Sequence, residues 1–175
     1  MYQLNLKLQL TKLEAPNSER NMKVQKNINL KPYTSMYVGG EALYFIEVQN
    51  IVDLNSALRF AEDNDLPVFI LGGGSNVLIS DTGFDGLVIK MAIIGKILVA
   101  ETDQYSDYEV GAGEVWDDFV KFAVEKDLYG LENMSHVPGS VGASVVQNIG
   151  CYGQEVSELT LSVNLIDLRT VDSVV

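Results

Sequence analysis

The stretch that decides the fold is "LPVFILGGGSNVLISD", residues 66–81, in which three consecutive glycines follow a short apolar run. The segment "VFIL" (68–71) predicts a short β-strand that is buried on both faces. Glycine loses more conformational entropy on folding than any other residue, so a triple glycine at the end of a strand needs a physical purpose. Three purposes are open: a simple loop, a phosphate cradle, or a narrower kind of ligand contact.

The glycine spacing argues against the two most familiar phosphate-binding motifs. A Rossmann turn requires G-x-G-x-x-G at the start of a long helix, but Val77 occupies the third glycine position and "VLISDTGFDG" (77–86) is too short and too rich in turn residues. A Walker A loop requires a following Gly-Lys-Ser/Thr, which is absent. Two interpretations remain. One is an anion-binding concavity of successive backbone N–H groups, with Ser75 and Asn76 as further donors; the other is a tight turn in which glycine only supplies positive φ.

The flanking segments predict further strands and two amphipathic helices. Strands are expected at residues 43–48, 86–91, 96–101, 107–113 and 159–168, and the last of these should bury one face. One helix is expected over 52–67, with Asp53 as a cap or first-turn acid and Pro67 as its stop; another is expected over 114–130, with Gly130 as its stop. The apolar positions of these segments are Leu54, Ala57, Leu58 and Ala61, then Trp116, Phe119, Val120 and Ala123, then Leu159, Leu161, Val163 and Leu165.

Composition indicates a globular protein and narrows its partners. The 175 residues carry a net charge of −12, with no basic cluster, which disfavours nucleic acids and anionic membranes. No apolar run is long enough to cross a bilayer, and the first residues lack the pattern of a signal peptide. The single cysteine allows no internal disulfide, so a cytoplasmic location is expected. Any anionic ligand would therefore depend largely on backbone N–H groups.

A second glycine-rich segment changes the interpretation of the first. "PGSVGAS" (138–144) and "QNIGCYG" (147–153) interleave glycines with small residues and side-chain amides. Two such segments about 65 residues apart favour two sides of one ligand site, although two adjacent surface turns remain an alternative. No metal site is expected, because His136 is the only histidine. His136 is expected to be structural or solvent-facing, Cys151 to be a small half-buried apolar residue, and Asp117 to favour the helix dipole.

Four segments together resemble the UDP-N-acetylenolpyruvoylglucosamine reductase (MurB) family of flavoenzymes. They are "LKPYTSMYVGGEALYFIEV", "LPVFILGGGSNVLISDTGFDGLVIKM", "VGAGEVWDDFVKFAVEKDLYGLENMSHVPGSVGAS" and "QNIGCYGQEV", in register across residues 28–157. The resemblance implies an α+β FAD-binding fold of the PCMH/VAO type, shared with p-cresol methylhydroxylase and vanillyl-alcohol oxidase, in which two α+β subdomains clasp the cofactor. It divides the chain into an N-terminal extension (1–27), subdomain 1 (28–100) and an incomplete subdomain 2 (101–175).

The resemblance also implies the cofactor, the reaction and the binding residues. FAD would be reduced by NADPH and would reduce UDP-N-acetylglucosamine enolpyruvate in peptidoglycan synthesis. The first glycine loop would wrap the FAD pyrophosphate, and the second would face it and reach toward the isoalloxazine. The residues expected to bind FAD are Gly72, Gly73, Gly74, Ser75, Asn76, Val77, Pro138, Gly139, Ser140, Val141, Gly142, Ala143, Gln147, Asn148, Ile149 and Gly150.

The chain departs from the family in several places. The family's catalytic residues are an arginine in a Gly-Tyr-Arg segment, a serine and a late glutamate, all C-terminal to the matched part; no Gly-Tyr-Arg occurs here, so no catalytic residue is assigned. Val145 stands where the family usually has proline, Cys151 replaces a common alanine, and His136 occupies a usually apolar position. A missing C-terminal substrate domain is therefore expected, and the chain alone should be catalytically incomplete.

Three other interpretations remain open at this point. The chain could be the domain of another PCMH-type flavoprotein oxidoreductase, although the second loop resembles the reductases more closely than the oxidases. It could be a non-catalytic FAD-binding or interaction module left by truncation. It could also be a fragment without a stable fold of its own.

Overall fold

The structure, a computed structural model, describes residues 2–8, 23–168 and 172–174, and the first and last of these ranges are described by their backbone. Of the N-terminal extension expected over residues 1–27, positions 9–22 lie outside the described residues. The extension contains a strand, β1 (Tyr2–Leu8). It is integrated into a sheet with strands from the second half of the chain.

The first sheet holds the triple glycine at its edge. Its order is β2 (Gln25–Asn29), β3 (Glu41–Val48), β5 (Phe84–Met91) and β4 (Val68–Leu71). Strands β3, β5 and β4 run parallel, and β2 is antiparallel to β3. Because β4 ends at Leu71, the glycines emerge at the carboxyl edge of the parallel strands, where α/β sheets commonly bind ligands.

Strand β4 differs from its predicted environment. Among the described strands it pairs with β5 alone and so forms one edge of the sheet, and only Leu71 of its four residues is fully buried. Ile70 is 39% exposed. The prediction that this apolar run is buried on both faces is therefore wrong. Ile70 lies at the edge of the sheet, where it lines a cleft together with the glycine loops.

Helix α1 (Ile51–Asp63) covers the first sheet with its four predicted apolar residues. Its N-cap is Asn50, whose side-chain oxygen accepts the Asp53 backbone N–H at 2.9 Å. Asp53 is the predicted first-turn acid, and its carboxylate accepts the Asn50 side-chain N–H at 2.9 Å, which holds the capping side chain in place. The helix ends at Asp63, four residues before Pro67, and Asn64 is its C-cap.

The second sheet carries the other helix. It contains β11 (Thr160–Val163), β1, β7 (Tyr105–Val110) and β6 (Lys96–Glu101), with β8 (Leu128–Tyr129) also paired to β1. Helix α2 (Trp116–Glu125) buries its four predicted apolar residues in this half of the molecule. It ends before Gly130, because Lys126 is its C-cap and Asp127 already adopts a positive φ of 56°.

Short elements complete the chain after α2. Helix α3 (Val141–Ser144) is followed by the hairpin of β9 (Gly150–Cys151) and β10 (Gln154–Glu155). The strand predicted over 159–168 is divided: β11 joins the second sheet, whereas β12 (Leu165–Asp167) pairs with β13 (Asp172–Val174). Leu161 and Leu165 are about half exposed, at 51% and 53%, so the predicted apolar face is wrong for both.

Replacing Asn50 with alanine tests the capping of α1. Loss of the side-chain acceptor leaves the Asp53 N–H without its partner, and we expect the free energy of unfolding to fall by about 1 kcal/mol in a urea titration. Asn64→Ala is the matched control at the other end of the helix, because its exposed side chain only donates to the Phe60 carbonyl. Equal losses in the two variants would contradict the assigned cap.

Candidate ligand-binding site between two glycine loops

The two predicted glycine segments meet face to face. We call residues 72–77 the first loop and residues 138–150 the second loop. A Cβ added at Gly73 would lie 2.9 Å from the Gly139 Cα and 3.0 Å from its carbonyl carbon. A Cβ at Gly72 would lie 2.9 Å from the Ser140 Oγ. The glycines are thus required because the two backbones approach each other, which neither a simple turn nor two separate surface turns would demand.

A third segment braces the first loop from behind. Gly74 has a φ of +69°, and a Cβ there would lie 1.9 Å from the carbonyl oxygen of Tyr33. The Ser35 N–H donates to the Gly74 carbonyl at 3.0 Å. The chain just after the 3₁₀ turn Lys31–Tyr33 therefore fixes the course of the first loop, and no residue with a side chain can replace Gly74 without moving backbone.

Where the two loops meet, at residues 72–74 and 138–139, four peptide groups are held by their carbonyl oxygens. Lys90 Nζ donates to the Gly72 carbonyl, and Ser35 N to that of Gly74. The carbonyl of Pro138 accepts from Ser75 Oγ at 3.1 Å, and that of Gly139 from Trp116 N at 3.1 Å. A side-chain bond from Asn76 Nδ2 to Gln147 Oε1 also joins the two loops. The donors come from four separate parts of the chain, so the loops are fixed by the whole fold.

Fixing a carbonyl also fixes the N–H of the next residue. In a planar trans peptide the C=O and the following N–H point in opposite directions. The held carbonyls therefore turn four amides away from their donors, those of Gly73, Ser75, Gly139 and Ser140. None of these amides donates to an acceptor within the parts of the chain that the structure describes. Such a group of free N–H dipoles is suited to an anion.

The hydroxyl of Ser140 is a further free donor at the same place. Ser140 is only 5% exposed, and its Oγ has no hydrogen-bond partner among the described residues. A buried hydroxyl without a partner costs free energy, because it has left water without compensation. Ser140 lines both clefts beside the loops, so a polar ligand there would supply the missing partner.

Two adjoining clefts of different character lie at the loops. One, of about 210 Å³, is lined mainly by the loop backbones and by Trp116. The other, of about 390 Å³, is predominantly apolar and reaches Met91, Val163 and Leu165. Both clefts are lined by Ile70, Gly72, Ser140, Ala143 and Val146. Because they share these residues, the two clefts can take a single elongated ligand. We call the first the polar cleft for the loop backbones that line it, although most of its exposed lining is apolar, and we call the second the apolar cleft.

The structure brings most of the predicted binding residues to these clefts. All of residues 72–77 line the polar cleft, together with Pro138, Gly139, Ser140, Ala143, Gln147 and Ile149. Gly142 lines the apolar cleft. The remaining three line neither cleft: Val141 is buried in the core beside α2, Asn148 bonds Glu155 and Ser157, and Gly150 lies in the β9–β10 hairpin.

Sequence reasoning missed several residues of the site. The sequence predicts that Ile70 lies in a buried strand and that Trp116 lies on the buried face of a helix, yet both residues line the polar cleft. Lys90 is predicted only as part of a strand. The sequence signal for a further role is its position as a lysine inside the otherwise apolar run "GLVIKM". Among the described residues, no group of three His, Cys, Asp or Glu side chains is placed to hold a metal.

Asp117 has a larger role than the predicted one at the helix dipole. Its carboxylate accepts the His136 N–H at 2.6 Å and the Ser135 hydroxyl at 2.9 Å, and so ties α2 to the chain leading into the second loop. These hydrogen bonds, with that of His136 N–H foremost, lower the pKa of the Asp117 carboxyl. His136 itself is 89% exposed in its side chain, as expected, and Cys151 is half-buried against the apolar core that contains the buried face of α2.

Gly73→Ala tests the backbone contact between the loops. The added methyl would meet the Gly139 backbone, which cannot rotate away, so we expect a loss of about 1–3 kcal/mol in the free energy of unfolding. Gly72→Ala is the matched control, because its methyl meets the Ser140 hydroxyl and the Ala143 side chain. Its loss should be clearly smaller in the same urea titration. A Gly73→Ala protein as stable as the wild type would contradict the close approach.

The Asp117 bonds predict a pH dependence of stability. Since the folded-state pKa lies below the ordinary value of 3.8, the contribution is complete above that value and is lost as the pH falls through the lower, folded-state pKa. The difference in unfolding free energy between wild type and Asp117→Asn should therefore shrink on acidification. Asp118→Asn is the control, because Asp118 shares the first turn but accepts no hydrogen bond from the described residues. A difference that stays constant down to acid pH would rule out this account.

Comparison with known proteins connects this geometry to a family. The family described as "FAD binding domain" matches residues 42–173. The UDP-N-acetylenolpyruvoylglucosamine reductase of Flavobacterium johnsoniae is 40% identical over 149 residues, which is 85% of this chain and 43% of that protein. That of Saccharopolyspora erythraea is 43% identical over 141 residues, 81% of this chain and 38% of that protein. The chain thus spans less than half the length of these relatives.

A solved structure agrees with the sequence comparisons. The crystal structure of UDP-N-acetylenolpyruvylglucosamine reductase (MurB) from Thermus caldophilus matches with a TM-score of 0.61 and 30% identity, covering 78% of this chain and 46% of that one. The resemblance drawn from the four sequence segments and the expected α+β FAD-binding fold are both confirmed. With two sheets, two glycine loops and a family match over most of its length, the chain belongs to the FAD binding domain family.

Proposed function

We propose that the chain binds FAD across the two adjoining clefts and forms the FAD-binding part of a UDP-N-acetylenolpyruvoylglucosamine reductase. The observation that carries the proposal is the group of four unpaired loop amides and the unpaired Ser140 hydroxyl beside an apolar cleft. The family match over residues 42–173 supports FAD as the ligand. The relatives' names support the reduction of UDP-N-acetylenolpyruvoylglucosamine. NADPH as electron donor and a role in peptidoglycan synthesis are proposed from the family resemblance.

The polar cleft suits the pyrophosphate of FAD. A dinucleotide pyrophosphate carries two negative charges, which N–H dipoles can bind without a basic patch. This matters here, since the chain has a net charge of −12 and would otherwise repel an anion. The amides of Gly73, Ser75, Gly139 and Ser140 would surround the phosphates from two loops, and the Ser140 hydroxyl would gain the partner that it lacks. The residues present therefore fit the cofactor.

The apolar cleft suits a flat ring system. Its lining is mostly aliphatic and includes Ile70, Ala112, Val146 and Val163. We assign it to the isoalloxazine, in keeping with the family resemblance. Burial of a ring against such side chains contributes through the hydrophobic effect and excludes water from the ring faces. Val146 is 85% exposed, which leaves its side chain free to cover a bound ring.

In this proposal the cofactor, this chain and the remainder of the longer relatives have different chemical tasks. When bound, FAD supplies the hydride chemistry, and the protein supplies its position and surroundings. No residue of this chain is assigned to proton transfer or to the substrate, so these tasks belong to the part that the longer relatives have in addition. The proposal includes the division of the chain into subdomains at residues 28–100 and 101–175. It also includes a cytoplasmic role in cell-wall synthesis, cell shape and cell division. No helix within the described residues has the length and apolar character needed to span a bilayer.

Titration of the purified chain with FAD tests the proposal directly. We expect a yellow complex that survives gel filtration, with quenching of flavin fluorescence on binding. In Ser140→Ala the dissociation constant should rise about 2- to 10-fold, because one hydrogen bond to the bound cofactor is lost. The stability of the FAD-free protein should not fall, because this hydroxyl has no partner to lose.

A matched control separates binding from folding. Ser106→Ala removes a hydroxyl that is equally buried, at 1% exposure, but lines neither cleft and bonds Glu101. It should leave the FAD dissociation constant unchanged. Complete failure of the folded wild-type chain to bind FAD would overturn the proposed function, and unchanged affinity in Ser140→Ala would overturn the role of the hydroxyl.

A further inference from the structure

We propose that Lys90 is a positioning residue that holds the Gly72–Gly73 peptide so that the Gly73 N–H faces the bound anion. The inference rests on the proposed function, because the anion is the FAD pyrophosphate. Lys90 acts from behind the first loop: it is not among the residues that line either cleft, whereas Gly73 lines the polar one. The role is therefore exerted through the peptide and not by contact with the ligand.

The strand register places Lys90 at the correct height. In the first sheet Lys90 of β5 pairs with Leu71, the last residue of β4. The next carbonyl along the chain is that of Gly72, and Lys90 Nζ donates to it. The Lys90 ammonium thus supplies a donor one residue beyond the end of β4, where no backbone partner within the described ranges continues the ladder. The triple glycine begins at the point that this side chain holds.

Peptide geometry carries the effect to the other side of the loop. The Gly72 carbonyl and the Gly73 N–H belong to one planar trans peptide and point in opposite directions. While the carbonyl is held by Lys90, the N–H points away from Lys90. Two flexible glycines would otherwise allow this peptide to rotate, because glycine has more freedom in φ and ψ than other residues. A donor fixed before the ligand arrives lowers the entropic cost of binding.

The surroundings of Lys90 suit this role. Its side chain is half-buried, and burial lowers the pKa of its ammonium, whereas the Glu47 carboxylate raises it. Glu47 lies directly opposite on β3 in the strand register. Lys90 is the one charged side chain of the described residues that donates to the first loop. The carbonyls of Gly74 and Gly139 accept from backbone N–H groups, which a side-chain substitution does not remove. The carbonyl of Pro138 accepts from the hydroxyl of Ser75, which itself lines the polar cleft. Lys90 is therefore the donor that can be removed by a substitution outside the clefts.

The test compares Lys90→Met with Lys90→Arg. Methionine keeps a long unbranched side chain but cannot donate, and arginine keeps both the charge and the donor. We expect the FAD dissociation constant to rise about tenfold in Lys90→Met and to return to within about threefold of the wild type in Lys90→Arg, since a charge-assisted hydrogen bond is lost and then restored. Lys96→Met is the matched control: Lys96 is a partly buried lysine, paired with Glu114 at 2.5 Å, and it lines neither cleft. Its FAD affinity should be unchanged.

A spectroscopic measurement distinguishes positioning from general support of the fold. In the FAD-free, ¹⁵N-labelled chain, Lys90→Met should shift the Gly73 amide resonance and lower its ¹⁵N order parameter, because the peptide is then freer to rotate. Lys90→Arg should restore both, and Lys96→Met should leave both unchanged. A merely structural role would instead spread its effect over β4 and β5.

The outcomes separate this inference from the proposed function. Wild-type FAD affinity in Lys90→Met would overturn the inference and leave the proposed function intact. If the wild-type chain binds no FAD, the proposed function fails, and the inference that Lys90 serves a bound FAD fails with it; the Gly73 resonance then still decides whether Lys90 orients the peptide. An unchanged Gly73 resonance in Lys90→Met would overturn the orientation whatever the FAD result.

Discussion

The site depends on one contact, the backbone-to-backbone approach of Gly73 and Gly139. Each of these residues belongs to a different sheet and helix layer: Gly73 follows β4, and Gly139 is held by the first turn of α2. Only glycine permits this distance, since a methyl group would have to occupy space already filled by the facing loop. Where the backbones meet, three loop carbonyls accept from donors outside the loops, and that of Pro138 accepts from Ser75 across the contact. The N–H groups on the other side of these peptides have no acceptor among the described residues. The group of free N–H donors is thus a by-product of how the two layers are joined.

The sequence predicted the elements that carry periodic apolar patterns. Both helix faces, from Leu54 to Ala61 and from Trp116 to Ala123, are buried as expected, because helical spacing directly reports which side faces a core. The same approach failed for "LTLSVNLIDL", where Asn164 is buried and separates two strands that join different sheets. Alternation in a single sequence cannot show that a chain changes sheets, because both halves keep the period of two. The sequence likewise could not predict that β4 lies at the edge of its sheet, since the burial of a strand depends on neighbouring strands from distant parts of the chain.

For the candidate site, the sequence located the loops but not the way they work. Glycine content pointed to residues 72–74 and 138–150, and the unpaired amides agree with the concavity that was one of the alternatives. Which carbonyls are held, and by which donors, depends on contacts of Ser35, Lys90 and Trp116 that lie far away in sequence. Asp117 shows the same limit, because its hydrogen bonds to Ser135 and His136 exist only once α2 and the second loop are in place.

The joining of two layers at the glycine loops has a mechanical consequence. The first loop is anchored in one sheet and the second in the helix layer of the other, so a ligand that bonds N–H groups of both loops is a cross-link between them. Free energy from such binding is added only to conformations in which both layers are docked. The cofactor would thus serve as a structural staple that makes the two layers unfold as a single cooperative unit. In its absence each layer would be freer to open separately.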